Sequence, residues 1–177
     1  NFDDRIMEAK NKLDSVGGIT KTVISGVPVG VGEPWFDSME SMISHAVFSV
    51  GGVKGIEFGL GFGFADKTGS EVNDQFYMED GKVKTRTNNN GGINGGISNG
   101  MDITFRCAVK PTPSIAQKQN TINFLEGKDA ELEIQGRHDP AIIRRICPVL
   151  NAVSSIVMAD MLATKYGTDV FLNGIAD

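Results

Sequence analysis

The sequence is short of several residue types, and each scarcity closes a class of function. It has two cysteines, Cys107 and Cys147, without a CxxC spacing, and only two histidines, His45 and His138. That inventory cannot assemble a Cys/His zinc site, so no metal is expected, and two distant thiols fit a reducing compartment. Uninterrupted apolar runs are a few residues long, far below the roughly 20 that cross a bilayer, and no charged-then-apolar leader opens the chain. An excess of positive charge is also missing. Seventeen basic residues against 22 acidic ones leave a net charge of −5, which offers no basic face to nucleic-acid phosphates. The expectation is a cytoplasmic protein with no metal, no nucleic-acid partner and no membrane segment.

What is present in excess is glycine: 22 in 177 residues, about 12% against a usual 7%. Five of them fall within residues 91–100. A chain of this length buries roughly 70% of its unfolded surface, so 1–177 is read as a single domain that needs no staple to hold its core. No repeat with a period of 20 to 50 residues is visible.

Hydrophobic spacing predicts a polar helix over 3–14, ended by Gly17-Gly18, and a strand in ITKTVISGV. A second helix is expected from about Phe36 to Val50, with Phe36, Met39, Ile43, Val47 and Val50 on one stripe and His45 facing away. VKGIEFGLGFGF reads as a strand. Residues 66–86, charged and poor in large apolar side chains, are expected to form a mobile excursion. MDITFRCAVK alternates, placing Ile103, Phe105, Cys107 and Val109 on one face, and ELEIQ reads as a shorter strand. From Pro140 a long helix is expected to about Tyr166, its face made by Ile142, Ile146, Val149, Val153, Ile156, Val157 and Leu162, with Pro148 marking a bend or late start. This order does not alternate as a doubly wound sheet does, so the expected fold class is α+β, an antiparallel sheet packed on long helices.

Three segments could carry chemistry. NNNGGINGGISNG (88–100) lacks the spacing of a dinucleotide turn and the GK[ST] of a P-loop. It is either a set of polar turns or backbone left bare for a flat ligand. In GRHDP (136–140), Arg137 offers a fork of donors to a phosphate or carboxylate, and Asp139 is either a helix cap or a base. In VKPTPSI (109–115), a cation and two hydroxyls in a Pro-stiffened loop could hold a phosphate, or could be an ordinary strand end. Lys54 reads as a solvated strand charge.

Together with DSVGG (14–18), SGVPVGVGEPWFD (25–37) and SHAVFSVGGVKGIEFGLGF (44–62), these segments resemble chorismate synthase, specifically its C-terminal half, in the family's order and spacing. The resemblance implies half of a β-α-β sandwich, and a lyase using reduced FMN. That enzyme eliminates phosphate from 5-enolpyruvylshikimate 3-phosphate to give chorismate in aromatic amino acid biosynthesis. It further implies NADP as an associated nucleotide and a homotetramer for the full-length protein. By position, Asp139 matches the family's Asp near flavin N5, and Arg137 a flavin-contacting Arg. Lys110, Pro111, Thr112, Pro113 and Ser114 match the K-P-T-x-[ST] flavin loop, and Gly95 the glycine of GGIS. Gly51 and Gly52 match the pair before VKG, and Asn88 the Asn opening the segment before the glycines. On this view most of 91–100 is backbone kept bare for the flavin.

Some positions depart from the family pattern. Ala141 stands where Cys is common, Asn90 where Ser or Ala usually precedes GG, and Gly51-Gly52 is barer than the usual pair. The family's two active-site histidines and its substrate-gripping arginines belong to the N-terminal half, which has no counterpart here. The chain is therefore expected to carry half an active site and to turn over nothing alone. A non-catalytic flavin-binding or oligomerisation module is the alternative.

Overall fold

The computed structural model describes residues 1–136 and 138–175. In chain order it comprises α1 (Phe2–Asn11), β1 (Gly18–Ile24), α2 (Met39–Phe48), β2 (Val53–Phe58), α3 (Gly69–Val72), β3 (Phe76–Glu79) and β4 (Lys82–Thr85). There follow β5 (Ile93–Asn94), β6 (Ile97–Ser98), β7 (Ile103–Val109), β8 (Gln119–Asn123), β9 (Lys128–Leu132), α4 (Ile143–Tyr166) and α5 (Val170–Asn173). The class is α+β, as the pattern indicated.

The organising element is β7. It lies between β1 and β2 in a three-stranded antiparallel sheet, with Thr20 and Ile56 both opposite Cys107. Its alternation works as period-2 geometry requires: Ile103, Phe105, Cys107 and Val109 are 4% exposed or less, while Arg106 and Ala108 lie on the outer face. Phe105 packs on Phe58 with ring centroids 5.6 Å apart. Helices α2 and α4 cover the inner face, and each apolar side chain buried there contributes about 1.5–3 kcal/mol. The other face, carrying Ile19, Lys21, Val23 and Arg106, is exposed within this chain.

Both helices differ from the sequence expectation in detail. Ser38 ends its own extended segment by accepting a hydrogen bond from Ser41 N–H at 3.1 Å, so α2 starts at Met39 and not at Phe36. Met39, Ile43 and Val47 are fully buried, whereas Phe36 belongs to a preceding 3₁₀ turn and is 88% exposed. His45 is exposed, as expected. Helix α4 begins at Ile143 and runs through Pro148. Its buried stripe is Ile143, Ile146, Leu150, Ser154, Val157, Met158 and Met161; Val149 and Ile156 face outward. The many apolar residues of this helix allowed more than one stripe, and packing against α2 and β1 selected this one. By length and composition α4 could cross a membrane, which no short apolar run in the sequence suggested. Here it forms part of the core.

The 66–86 segment holds α3 and the hairpin β3–β4, closed at Asp80-Gly81, where both residues adopt positive φ (49° and 74°) as a tight two-residue turn demands. A second hairpin, β8–β9, places the paired strand at Lys128–Leu132, three residues before ELEIQ was expected to start, with Gln119–Asn123 as a partner the spacing did not reveal.

Candidate active site

One corner of the molecule gathers most of the residues singled out in the sequence. The turn after α2 brings Gly52 beside the end of β7, where the Lys110 N–H donates to the Gly52 carbonyl at 2.8 Å. Gly52 has φ +94°, and a Cβ there would stand 2.9 Å from Ile142 Cδ1 at the foot of α4. A bare backbone is therefore required by the fold itself. Gly51 beside it has open space where a side chain would be.

The loop that follows, Lys110 to Ser114, is tied down by the connection between α1 and β1. Ser15 Oγ donates to the Thr112 carbonyl at 2.6 Å, and the next residue, Val16, donates its N–H to the Pro140 carbonyl at 2.8 Å. Residues 15 and 16 thus clip the KPTPS loop to the GRHDP segment, a role the DSVGG motif did not announce. Thr112 Oγ1 is buried with no hydrogen-bond partner among the described residues, while Lys110, Pro111, Pro113 and Ser114 are exposed.

Asp139 lies three residues short of the cap of α4, which is Ile142, so it is not the N-cap. Its Oδ1 accepts from the Ala141 N–H at 3.2 Å and its Oδ2 faces Arg145 Nε at 3.1 Å. The carboxylate is one-quarter exposed (26%) and Arg145 mostly so, which makes this a weak, solvent-screened ion pair. His138 has its Nε2 2.9 Å from the Ile134 carbonyl, a local contact. Arg137 lies outside the described residues.

Asn88 and Gly95 are at the other end of the sheet. Asn88 Nδ2 donates to the carbonyl of Asp102, just before β7, at 2.7 Å. Gly95 sits in the β5–β6 turn, whose next residue accepts a hydrogen bond from Met39 N–H at the start of α2. The seven residues of β7 and the ten of α2 separate this end from the Gly52 corner, a distance of roughly 15–20 Å. The glycine run also has a different cause from the one the resemblance suggested. A Cβ at Gly91, Gly92 or Gly96 would come within 3 Å of this chain's own backbone, and one at Gly100 would crowd the Val29 side chain. Gly95 alone of the five opens onto free space. Close self-packing explains the cluster; accommodation of a ligand remains an explanation for Gly95 only.

A sequence model of the family described as chorismate synthase matches residues 1–163. The chain belongs to the chorismate synthase family. It is 48% identical over 157 residues to chorismate synthase of Methanocella arvoryzae, covering 89% of this chain and 42% of that protein. Against chorismate synthase of Methanocaldococcus jannaschii the identity is 47% over 162 residues, covering 91% and 43%. A crystal structure of chorismate synthase superposes with a TM-score of 0.76 at 32% identity, covering 95% of this chain and 43% of that one. The chain thus spans about two fifths of the length of the relatives it matches.

Proposed function

We propose that the chain contributes one side of the active site of a chorismate synthase, a lyase that eliminates phosphate from 5-enolpyruvylshikimate 3-phosphate to yield chorismate. The observation that carries this reading is the clip of Ser15 and Val16, which holds the Thr112 loop and the Asp139 segment of two separate motifs at one corner beside Gly52.

Reduced FMN fits the residues present. Gly51 offers open backbone at one end of the site and Gly95 at the other, and Thr112 Oγ1 and Asn88 Oδ1 are buried polar atoms without partners among the described residues. Lys110, Thr112 and Ser114 supply a cation and hydroxyl donors suited to a phosphate. On this reading Gly51, Gly52 and the loop Lys110, Pro111, Thr112, Pro113 and Ser114 hold the cofactor from one end, Asn88 and Gly95 from the other, and Arg137 adds to the first group. When bound, the electron-rich flavin stabilises charge developing at the carbon that loses phosphate. The protein's own work is to orient the reactants and to handle the proton. Asp139 is the group for that second task, since among the described residues each of its carboxylate oxygens has one partner. The same reading makes the full-length protein a cytoplasmic homotetramer and leaves this chain inactive by itself.

The test is Asp139→Asn in the full-length enzyme. FMN affinity should stay within about twofold while kcat falls by two or more orders of magnitude, the usual contribution of a positioned acid or base. An unchanged kcat would remove Asp139 from the chemistry and leave this chain with a flavin-binding role only.

A further inference from the structure

Asp74 is the only buried carboxylate among the described residues, 8% exposed, and it belongs to none of the motifs above. It sits between α3 and β3, in the stretch whose sequence looked least structured. Its Oδ1 accepts from Thr87 Oγ1 at 2.7 Å and from Asn89 N–H at 2.8 Å, and its Oδ2 accepts from Asn90 N–H at 2.8 Å. All three donors come from one short loop, Thr87 to Asn90. A buried ionised carboxylate is tolerated only where several donors converge on it, and hydrogen bonds to such a group are about twice as strong as neutral ones.

The arrangement brackets Asn88. Its predecessor and its successor are held by the same carboxylate oxygen, and Asn89 is fixed twice more, by Nδ2 to the Val72 carbonyl at 3.0 Å and by its own carbonyl from Leu60 N–H at 2.8 Å. Asn88 therefore has little backbone freedom. Its Nδ2 is committed to Asp102, its Oδ1 is buried with no donor among the described residues, and the residue lines a depression of about 340 Å³ together with Lys21 and Arg106. Folding alone gives no return for an unpartnered amide oxygen, because the amide would be free to turn to water if its loop could move.

We propose that Asp74 is a positioning residue of the flavin site, acting through Asn88: it locks residues 87–90 so that the Asn88 amide is presented in one orientation to a bound ligand. This rests on the assignment of Asn88 to the FMN site made above. Lys21 and Arg106 face each other across β1 and β7, and Arg106 is paired with Glu57 from the far side, so one positive charge next to Asn88 is left over for an anionic ligand.

The experiment is a double-mutant cycle in the full-length enzyme, read by FMN fluorescence titration and by thermal unfolding of the flavin-free protein. Asp74→Asn keeps the shape but places an amide N–H against a loop N–H. It should weaken FMN binding about tenfold or more, as should Asn88→Ala, and the double variant should be no weaker than the worse single one. Thr87→Val, which removes one of the three donors and keeps the carboxylate, should lower Tm by a few degrees and weaken FMN binding several-fold. If the two single effects simply add, or if Asp74→Asn and Thr87→Val lower Tm while FMN affinity is untouched, Asp74 is structural only and the inference fails. If the wild-type enzyme itself does not bind FMN, or Asn88→Ala binds it normally, the failure lies in the assignment of Asn88.

Discussion

Lys110 and Gly52 are joined by a 2.8 Å hydrogen bond from backbone N–H to backbone carbonyl, and this contact sets the geometry of the corner where the KPTPS loop leaves the sheet. Gly52 accepts that bond with a φ of +94°, and a Cβ on it would stand 2.9 Å from Ile142 Cδ1. The bond thus depends on a conformation that other residues adopt at a cost.

Gly52→Ala should consequently lower stability by about 1–3 kcal/mol through backbone strain at positive φ. The added methyl must also displace the flexible end of Ile142, 2.9 Å away. Gly51→Ala, where nothing lies within 4 Å, should be much milder. Denaturant melts of the two variants separate the positions, and equal losses would contradict the geometry.

Arg145 tests how Asp139 is held. The Arg145 side chain is 80% exposed, so Arg145→Gln should change stability by less than about 1 kcal/mol. In the full-length enzyme it should still alter kcat, because Asp139 loses the partner that orients its Oδ2. An unchanged kcat would mean that this ion pair has no bearing on the Asp139 chemistry.

The two thiols should react very differently. Cys107 is fully buried on the inner face of β7, and burial holds its thiol above the ordinary range. Cys147 is on the exposed side of α4. Alkylation of the folded chain followed by mass spectrometry should mark Cys147 within minutes and Cys107 only after denaturation. Rapid labelling of Cys107 would contradict the packing of the sheet.

Acid should loosen the start of α3. The Thr68 N–H and then the Thr68 hydroxyl donate to Glu71 Oε2, each at 2.9 Å, and with Lys67 they hold the carboxyl below its usual range. A carboxyl lowered in the folded state adds stability that is present above its unfolded pKa and is lost as pH falls through the folded one. Amide exchange at residues 68–73 should therefore accelerate, relative to the rest of the chain, only once the pH falls below the ordinary glutamate range. Glu71→Gln should abolish that dependence.

Legibility from sequence followed the range of the interactions. The faces of β7 were legible because alternation is a local signal, and Ile103, Phe105, Cys107 and Val109 are buried as their spacing required. The Asp80-Gly81 turn carries its own chemistry, yet the hairpin it closes was read as part of an excursion because its strands bury little apolar surface. In α4 the composition was so apolar that several stripes were possible, and Leu150, Met158 and Met161 became the core only through contact with α2 and β1. Asp74 was invisible for another reason. Its partners lie 13 to 16 residues away across a hairpin, and nothing in its immediate neighbours distinguishes it from a solvated acid.

The sequence by itself determined the family, the α+β class and the identity of the motifs, because motif order and hydrophobic period are properties of the chain read in one dimension. Tertiary structure alone decided which motifs meet. It joined Gly52, the Lys110 loop and Asp139 through the Ser15 and Val16 clip, and left Asn88 and Gly95 at the far end of β7. It also showed that most glycines of 91–100 are bare to let the chain pack on itself. The physical reason is the same in each case: a hydrogen bond or a close backbone approach needs two partners within about 3 Å, and the chain brings such partners together only when it folds.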